Sequence, residues 1–100
     1  MFRSTRGAAP QVGFDEALVR GLAPDGGLYV PVEWPRFTKA DFDGLATLPE
    51  VGARLIAPFA AGGPLADALP AIVAEAFDFP APLVEVAGTA EGERLTVLEL

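Results

Sequence analysis

The side chain best suited to bind a charged ligand is Arg6, in the run Ser4-Thr5-Arg6-Gly7. A guanidinium can hold a phosphate or carboxylate through two parallel hydrogen bonds, a neighbouring hydroxyl can donate another, and glycine lets the backbone come close. Arg6 and Thr5 are therefore candidate substrate-binding residues. The alternative is a structural ion pair between Arg6 and a carboxylate, which is favoured because 14 acidic side chains outnumber 7 basic ones.

Two other features could be mistaken for catalytic or phosphate-binding sites. Lys39 is the only amine side chain that could form a Schiff base, but it lies between Thr38 and Asp41 at a predicted helix start, with no apolar pocket to activate it. We expect a solvated surface lysine. Gly26 and Gly27 precede a predicted strand, whereas a phosphate loop presents its N–H groups at a helix N-terminus, so a tight turn is favoured.

The composition removes most other catalytic chemistries. The 100 residues include no cysteine and no histidine, so disulfides, Cys/His zinc sites and Ser/His or Cys/His nucleophile systems lack a required member. Acidic pairs such as Asp41 with Asp43 stand without histidine or further ligands, and we expect solvated faces and no metal site. No catalytic residue is assigned from the residue types themselves.

The charge balance excludes two classes of partner. A formal net charge of −7 repels phosphate backbones and anionic lipid headgroups, so neither nucleic acid nor a membrane surface is an expected partner. The N-terminal run has no apolar leader, and the least polar stretch, residues 55–66, is interrupted by proline and glycine. We therefore expect a cytoplasmic protein without a membrane span.

The elements that must position these residues indicate an α+β fold, with about four short helices and a small, mostly antiparallel sheet. Hydrophobic residues at helical spacing predict helices at 14–21, from Thr38 onward, from Pro49 to an end or kink at Pro58, and at 69–77. Strands are predicted from β-prone runs near 2–5, 28–30, 83–87 and 94–100.

Three local patterns fix the ends of these elements. Thr38 and Asp41 form a capping pattern for the second helix, and Phe37 and Phe42 have the spacing of a hydrophobic staple. The run 24–27, Pro-Asp-Gly-Gly, predicts a tight turn after the first helix.

The last predicted strand has apolar residues on both faces. Leu95 and Val97 alternate to one face, and Leu98 and Leu100 to the other, as in strands that are covered on both sides. With Gly88 in the intervening turn, the strands near 83–87 and 94–100 are expected to form a hairpin. An apolar strand at the end of the sequence leads us to expect that residues 1–100 belong to a larger protein.

The order of motifs resembles the N-terminal region of the threonine synthase family. The resemblance rests on Ser4-Thr5-Arg6-Gly7, on the run 14–31 with its Ala-Pro-Asp-Gly-Gly-Leu-Tyr-Val-Pro ending, and on the segments 79–83 and 98–100. It implies residues 1–100 are the N-terminal domain of a pyridoxal-phosphate lyase of the tryptophan-synthase-β-like fold type. That enzyme converts O-phosphohomoserine and water to threonine and phosphate.

The same resemblance implies that the catalytic machinery is elsewhere. In the family, the lysine that holds the cofactor follows the Leu-Glu-Leu strand, beyond Leu100, and Lys39 does not match its motif. We therefore expect no catalytic or cofactor-binding residue and no pyridoxal phosphate bound by this chain, which would pack on the catalytic domains of the same polypeptide. The alternative function is that of a stand-alone acidic protein-interaction module related to this domain.

Overall fold

The computed structural model describes residues 1–86 and 90–99, and these form an α+β fold that extends over 50 × 30 × 24 Å. The predicted class is confirmed. Within the described residues, no helix is long and apolar enough to cross a membrane. The α-helices are α1 (Phe14–Arg20), α2 (Leu48–Ala60) and α3 (Leu69–Ala76), and the strands are β1 (Phe2–Ser4), β2 (Tyr29–Pro31), β3 (Leu83–Glu85) and β4 (Thr96–Leu98).

The four strands pair as two separate antiparallel ribbons instead of one sheet. β1 pairs with β2, with Ser4 opposite Tyr29, and β3 pairs with β4, with Val84 opposite Val97. The hairpin prediction is confirmed for the described residues, whereas positions 87, 88 and 100 of that prediction lie outside them. β1 has a second neighbour, because the backbone N–H and C=O of Phe2 bond to Val12 at 2.9 and 3.0 Å.

The core consists of two clusters of small and medium side chains. Phe2, Val12 and Ala17 are buried where β1 meets α1. The second cluster joins α2 to α3, and Phe14 packs against both clusters. At Gly52 of α2, an added Cβ would collide with the ring of Phe77, so glycine is required for the close approach of these helices. The buried residues of the second cluster are Ala60, Leu69 and Val73.

The helix predicted from Thr38 is a single 3-10 turn, Lys39–Phe42, so residues 1–86 and 90–99 contain three α-helices instead of about four. Asp41 accepts hydrogen bonds from the backbone N–H and the hydroxyl of Thr38 at 2.7 and 2.9 Å. The rings of Phe37 and Phe42 lie 5.5 Å apart, as the staple predicts. The turn ends because the residue after Phe42 is extended and Gly44 then takes a φ of 80°.

The helix α2 passes through Pro58 and ends two residues later, so Pro58 does not end it. A proline this close to a helix C-terminus removes one backbone hydrogen bond near the last turn, which the helix tolerates. The start of α2 is well defined: the Thr47 hydroxyl accepts from the Glu50 N–H at 3.4 Å, and the Glu50 carboxylate accepts from the Thr47 N–H at 2.9 Å.

The β3–β4 ribbon is not covered by the rest of the described chain. Every described residue from Pro82 to Glu99 is exposed. The expected pairing of the last strand is confirmed, but within this chain its apolar side chains face solvent.

Replacing Thr47 by Ala should lower the free energy of unfolding by about 1 kcal/mol, since it removes the hydroxyl that accepts from the Glu50 N–H and donates to the Glu50 carboxylate. Urea unfolding followed by circular dichroism at 222 nm measures the change. The matched control is Thr96→Ala, at an exposed position of β4 outside α2. Equal stability of Thr47→Ala and the unmodified chain would show that the cap does not stabilise α2.

Candidate functional site

The strand β1 leads into a tight turn that carries Arg6. The Gly7 N–H donates to the Ser4 carbonyl at 3.1 Å, which closes the turn, and Gly7 has a φ of 76°. This conformation is costly for residues with a Cβ, so glycine is the natural residue here. Thr5 and Arg6, at the two central positions, are exposed, whereas Ser4 is buried.

A second turn follows α1 and lies against the first. The Gly26 N–H donates to the Ala23 carbonyl at 2.8 Å, and the Ala23 N–H donates to the Gly27 carbonyl at 2.9 Å. Gly26 has a φ of 78°. The tight turn predicted at 24–27 is therefore confirmed. A Cβ at Gly27 would collide with Ser4 Oγ, so the second glycine is needed for the close contact between the two turns.

One carboxylate joins these turns. Asp25 Oδ1 accepts from Ser4 Oγ at 2.6 Å and from the Gly27 N–H at 3.0 Å. Asp25 Oδ2 accepts from the backbone N–H groups of Ala8 and Ala9, both at 3.0 Å. Asp25 therefore receives four hydrogen bonds, three of them from the segment 4–9, about 16–21 residues earlier in the sequence.

These hydrogen bonds favour the charged form of Asp25. The Ser4 hydroxyl, followed by the N–H groups of Gly27, Ala8 and Ala9, lowers the pKa of the carboxyl below its ordinary value of 3.8, against the opposing effect of desolvation. The Asp25 carboxylate is thus ionised at neutral pH.

Arg6 bonds to the same turn, but not to the carboxylate. Its Nη1 donates to the backbone carbonyl of Asp25 at 3.0 Å, and its backbone N–H donates to Ser4 Oγ at 3.1 Å. The structural ion pair considered for Arg6 is not formed among the described residues. Elsewhere in the described residues, Arg20 pairs with Glu16, Arg54 with Asp41, and Arg94 with Glu85.

Thr5 holds the first turn against β2. Its Oγ1 accepts from the Leu28 N–H at 3.0 Å, and its own N–H donates to the Leu28 carbonyl at 2.9 Å. All five backbone N–H groups of residues 5–9 thus have partners within the chain. An anion at this turn could be held only by the Arg6 guanidinium and the Thr5 hydroxyl proton, because no backbone N–H is left for it.

Sequence reasoning predicted the turn at 24–27 but neither the turn at 4–7 nor the role of the Asp25 carboxylate in joining the two. A signal was present: an aspartate ahead of two glycines readily bonds to its own turn, as the Gly27 N–H does here. Lys39 lies exposed in the 3-10 turn, as expected. No group of His, Cys, Asp or Glu in the described part of the chain is arranged to hold a metal ion.

Comparisons with known proteins agree on one family. A family model described as "Threonine synthase N terminus" matches residues 1–77. Threonine synthase from Pseudomonas aeruginosa is 49% identical over 67 residues, which cover 65% of this chain and 14% of that protein. Threonine synthase-like 2 from Rattus norvegicus is 53% identical over 47 residues, which cover 47% of this chain and 10% of that protein.

A solved structure shares the fold of nearly the whole chain. The crystal structure of PLP-bound threonine synthase from Brucella melitensis matches with a TM-score of 0.74 and 38% sequence identity. The match covers 95% of this chain and 21% of that chain, so this chain spans a small part of its relatives.

Replacing Asp25 by Asn should lower thermal stability at neutral pH. Both carboxylate oxygens accept hydrogen bonds, and the amide NH2 group that replaces one of them would point at groups that are themselves donors. The folded-state pKa of Asp25 is depressed, so its stabilising effect is present above 3.8 and is lost as the pH falls below that value. The melting temperatures of the two proteins should therefore converge between about pH 5 and about pH 2.

The control for this comparison is Asp43→Asn, since the Asp43 carboxylate has no hydrogen bond partner in the described structure. Differential scanning calorimetry across the pH range measures both variants. A constant difference between Asp25→Asn and the unmodified chain at all pH values would contradict the assignment.

Proposed function

We propose, because this chain belongs to the threonine synthase N-terminal family, that it serves as the N-terminal domain of a threonine synthase. The enzyme would convert O-phosphohomoserine and water to threonine and phosphate in the cytoplasm, as a pyridoxal-phosphate-dependent carbon-oxygen lyase acting on phosphates. The observation that carries the proposal is the family match over residues 1–77, supported by the TM-score of 0.74 to a PLP-bound threonine synthase.

The residues of this chain do not fit pyridoxal phosphate. A Schiff-base lysine needs a surrounding pocket that activates its amine, and Lys39 is exposed on the 3-10 turn. The turn at residues 5–9 offers no unused backbone N–H to a phosphate group. We therefore assign cofactor binding and catalysis to the rest of the polypeptide, and the isolated 100 residues are inactive.

A chimeric enzyme tests this proposal. In Brucella melitensis threonine synthase, the segment that superposes on this chain is replaced by residues 1–99 of this chain. The chimera should release phosphate from O-phosphohomoserine when supplied with pyridoxal phosphate, within about tenfold of the parent enzyme, whereas residues 1–100 alone should release none.

A folded chimera that binds pyridoxal phosphate but releases no phosphate would contradict the proposal. That outcome would favour the alternative, an acidic interaction module without the activity, since threonine synthase-like 2 shares this region as well. Circular dichroism and the cofactor absorbance establish that the chimera is folded and loaded.

We propose further that Arg6 and Thr5 hold the phosphate group of the substrate. The Asp25 carbonyl orients the guanidinium through one N–H, and the remaining donors of its fork have no partner among the described residues. The Thr5 hydroxyl accepts from Leu28 and keeps its own proton to donate. Arg6 stays protonated at any working pH, so it would bind the anion and transfer no proton.

Arg6→Ala in the chimera should raise KM for O-phosphohomoserine and weaken inhibition by phosphate, each by about tenfold or more, while the melting temperature changes little. Arg6→Lys should recover part of the affinity, since it keeps the charge and loses the fork. The structural control is Ser4→Ala, which removes a buried hydrogen bond to Asp25 and should lower the melting temperature. Unchanged kinetic constants with a lowered melting temperature for Arg6→Ala would leave Arg6 a purely structural residue.

A further inference from the structure

The β3–β4 ribbon has one face made of aliphatic side chains. In the antiparallel register Val84 lies opposite Val97, and the next pair on the same face is Val86 opposite Leu95, whose backbone groups bond at 2.9 Å. These four residues are termed the aliphatic face. Their exposed fractions are 41%, 47%, 38% and 54% for Val84, Val97, Val86 and Leu95.

This ribbon lacks what normally stabilises two strands. An isolated two-stranded ribbon is marginally stable in water and needs further strands or a packed face. Here both strands are exposed along their described length, and no buried residue of either core cluster comes from residues 82–99. Covering the aliphatic face with another surface would therefore stabilise the ribbon.

The charges around the ribbon argue against a second copy of this chain as the cover. The segment contains four glutamates and one arginine, and that arginine, Arg94, pairs with Glu85 at 3.5 Å. Two copies packed through this face would bring eight glutamates together, with like-charge repulsion added to a net charge of −7 on each chain. A surface that complements this face would instead be apolar at its centre and basic at its edge.

The structural relative is several times longer than this chain, so its further residues could supply such a surface. The match to the Brucella enzyme covers 95% of this chain, so at most a few residues of the ribbon can fall outside it, yet this chain is 21% of that protein. The family model for the N-terminal region ends at residue 77, before the ribbon begins. Most of residues 82–99 are thus part of the shared fold but lie outside the region matched by the N-terminal family model.

We propose that the aliphatic face is the surface by which this domain docks on the catalytic part of a threonine synthase polypeptide, against an apolar patch edged by lysine or arginine. This inference rests on the proposed function and names the docking surface within it. Burial of the face would give the ribbon the covered side that the described residues outside it do not provide.

Neighbouring residues of β4 supply a matched pair of variants. Val97 belongs to the aliphatic face, and Thr96, next to it on the same strand, points to the opposite face. In the 100-residue chain both are exposed, so Val97→Glu and Thr96→Glu should each change the melting temperature by no more than about 2 °C. In the Brucella chimera, Val97→Glu should lower it by about 5 °C or more, because a charge is buried, while Thr96→Glu should not.

Two further measurements keep the test decisive if Val97→Glu does not fold in the chimera. Val97→Thr preserves the shape and removes apolar contact, so it should lower the melting temperature in the chimera and not in the 100-residue chain. Hydrogen exchange of the amides at 83–86 and 95–99 should be at least about tenfold slower in the unmodified chimera than in the 100-residue chain.

The outcomes separate this inference from the proposed function. Equal effects of Val97→Glu and Thr96→Glu in a chimera that releases phosphate, with unchanged amide exchange, would overturn the docking surface and leave the function standing. Slowed exchange in a chimera without activity would support the docking surface while the function fails. A dimer of the 100-residue chain in sedimentation equilibrium that Val97→Glu dissociates would identify a second copy as the cover and overturn the proposal.

Discussion

The hydrogen bonds accepted by the Asp25 carboxylate are the constraint on which the N-terminal half of this fold depends. The turn after β1 and the turn after α1 are held together by side-chain and backbone donors that converge on its two oxygens. That contact sets the position of β1 against β2, and β1 in turn places Phe2 in the core. Ser4, the one buried polar residue of the described chain, is buried because its hydroxyl is satisfied there.

Separate hydrogen bonds from the second turn and from the residue before β2 orient the candidate ligand-binding side chains. The Asp25 carbonyl fixes one edge of the Arg6 guanidinium, and the Leu28 N–H fixes the Thr5 hydroxyl oxygen. In the folded chain, the second turn therefore orients the Arg6 guanidinium at the surface. A guanidinium that is already oriented loses less conformational entropy when it binds an anion than a freely rotating one.

The sequence predicted the elements better than the contacts between them. Helical spacing and the Pro-Asp-Gly-Gly run located α1 and its turn, because those signals are local. The helix predicted from Thr38 is longer than the observed 3-10 turn, because the capping pattern and the phenylalanine pair define only where a helix begins. The turn ends before Gly44. The role of Asp25 was not predicted, because three of its four hydrogen-bond donors lie 16–21 residues earlier in the sequence. No local pattern specifies which distant donors will reach the carboxylate.

The aliphatic residues of the last strand were expected to be covered, and in this chain they are not. Alternation along 95–97 places Leu95 and Val97 on one face of the strand, but alternation does not say which part of a protein supplies the cover. The core of the described residues is small, with alanines at three of its buried positions, Ala17, Ala23 and Ala60. A core this small leaves the domain stability to gain from the surface on which we propose that it packs.

The most direct test of the central claim is a double-mutant cycle between Ser4→Ala and Asp25→Ala, with free energies of unfolding from urea titrations at neutral pH. If the Ser4 hydroxyl and the Asp25 carboxylate act as one unit, the double variant loses clearly less stability than the two single losses added together. Strictly additive losses would show that the two residues stabilise the fold independently and would contradict the account.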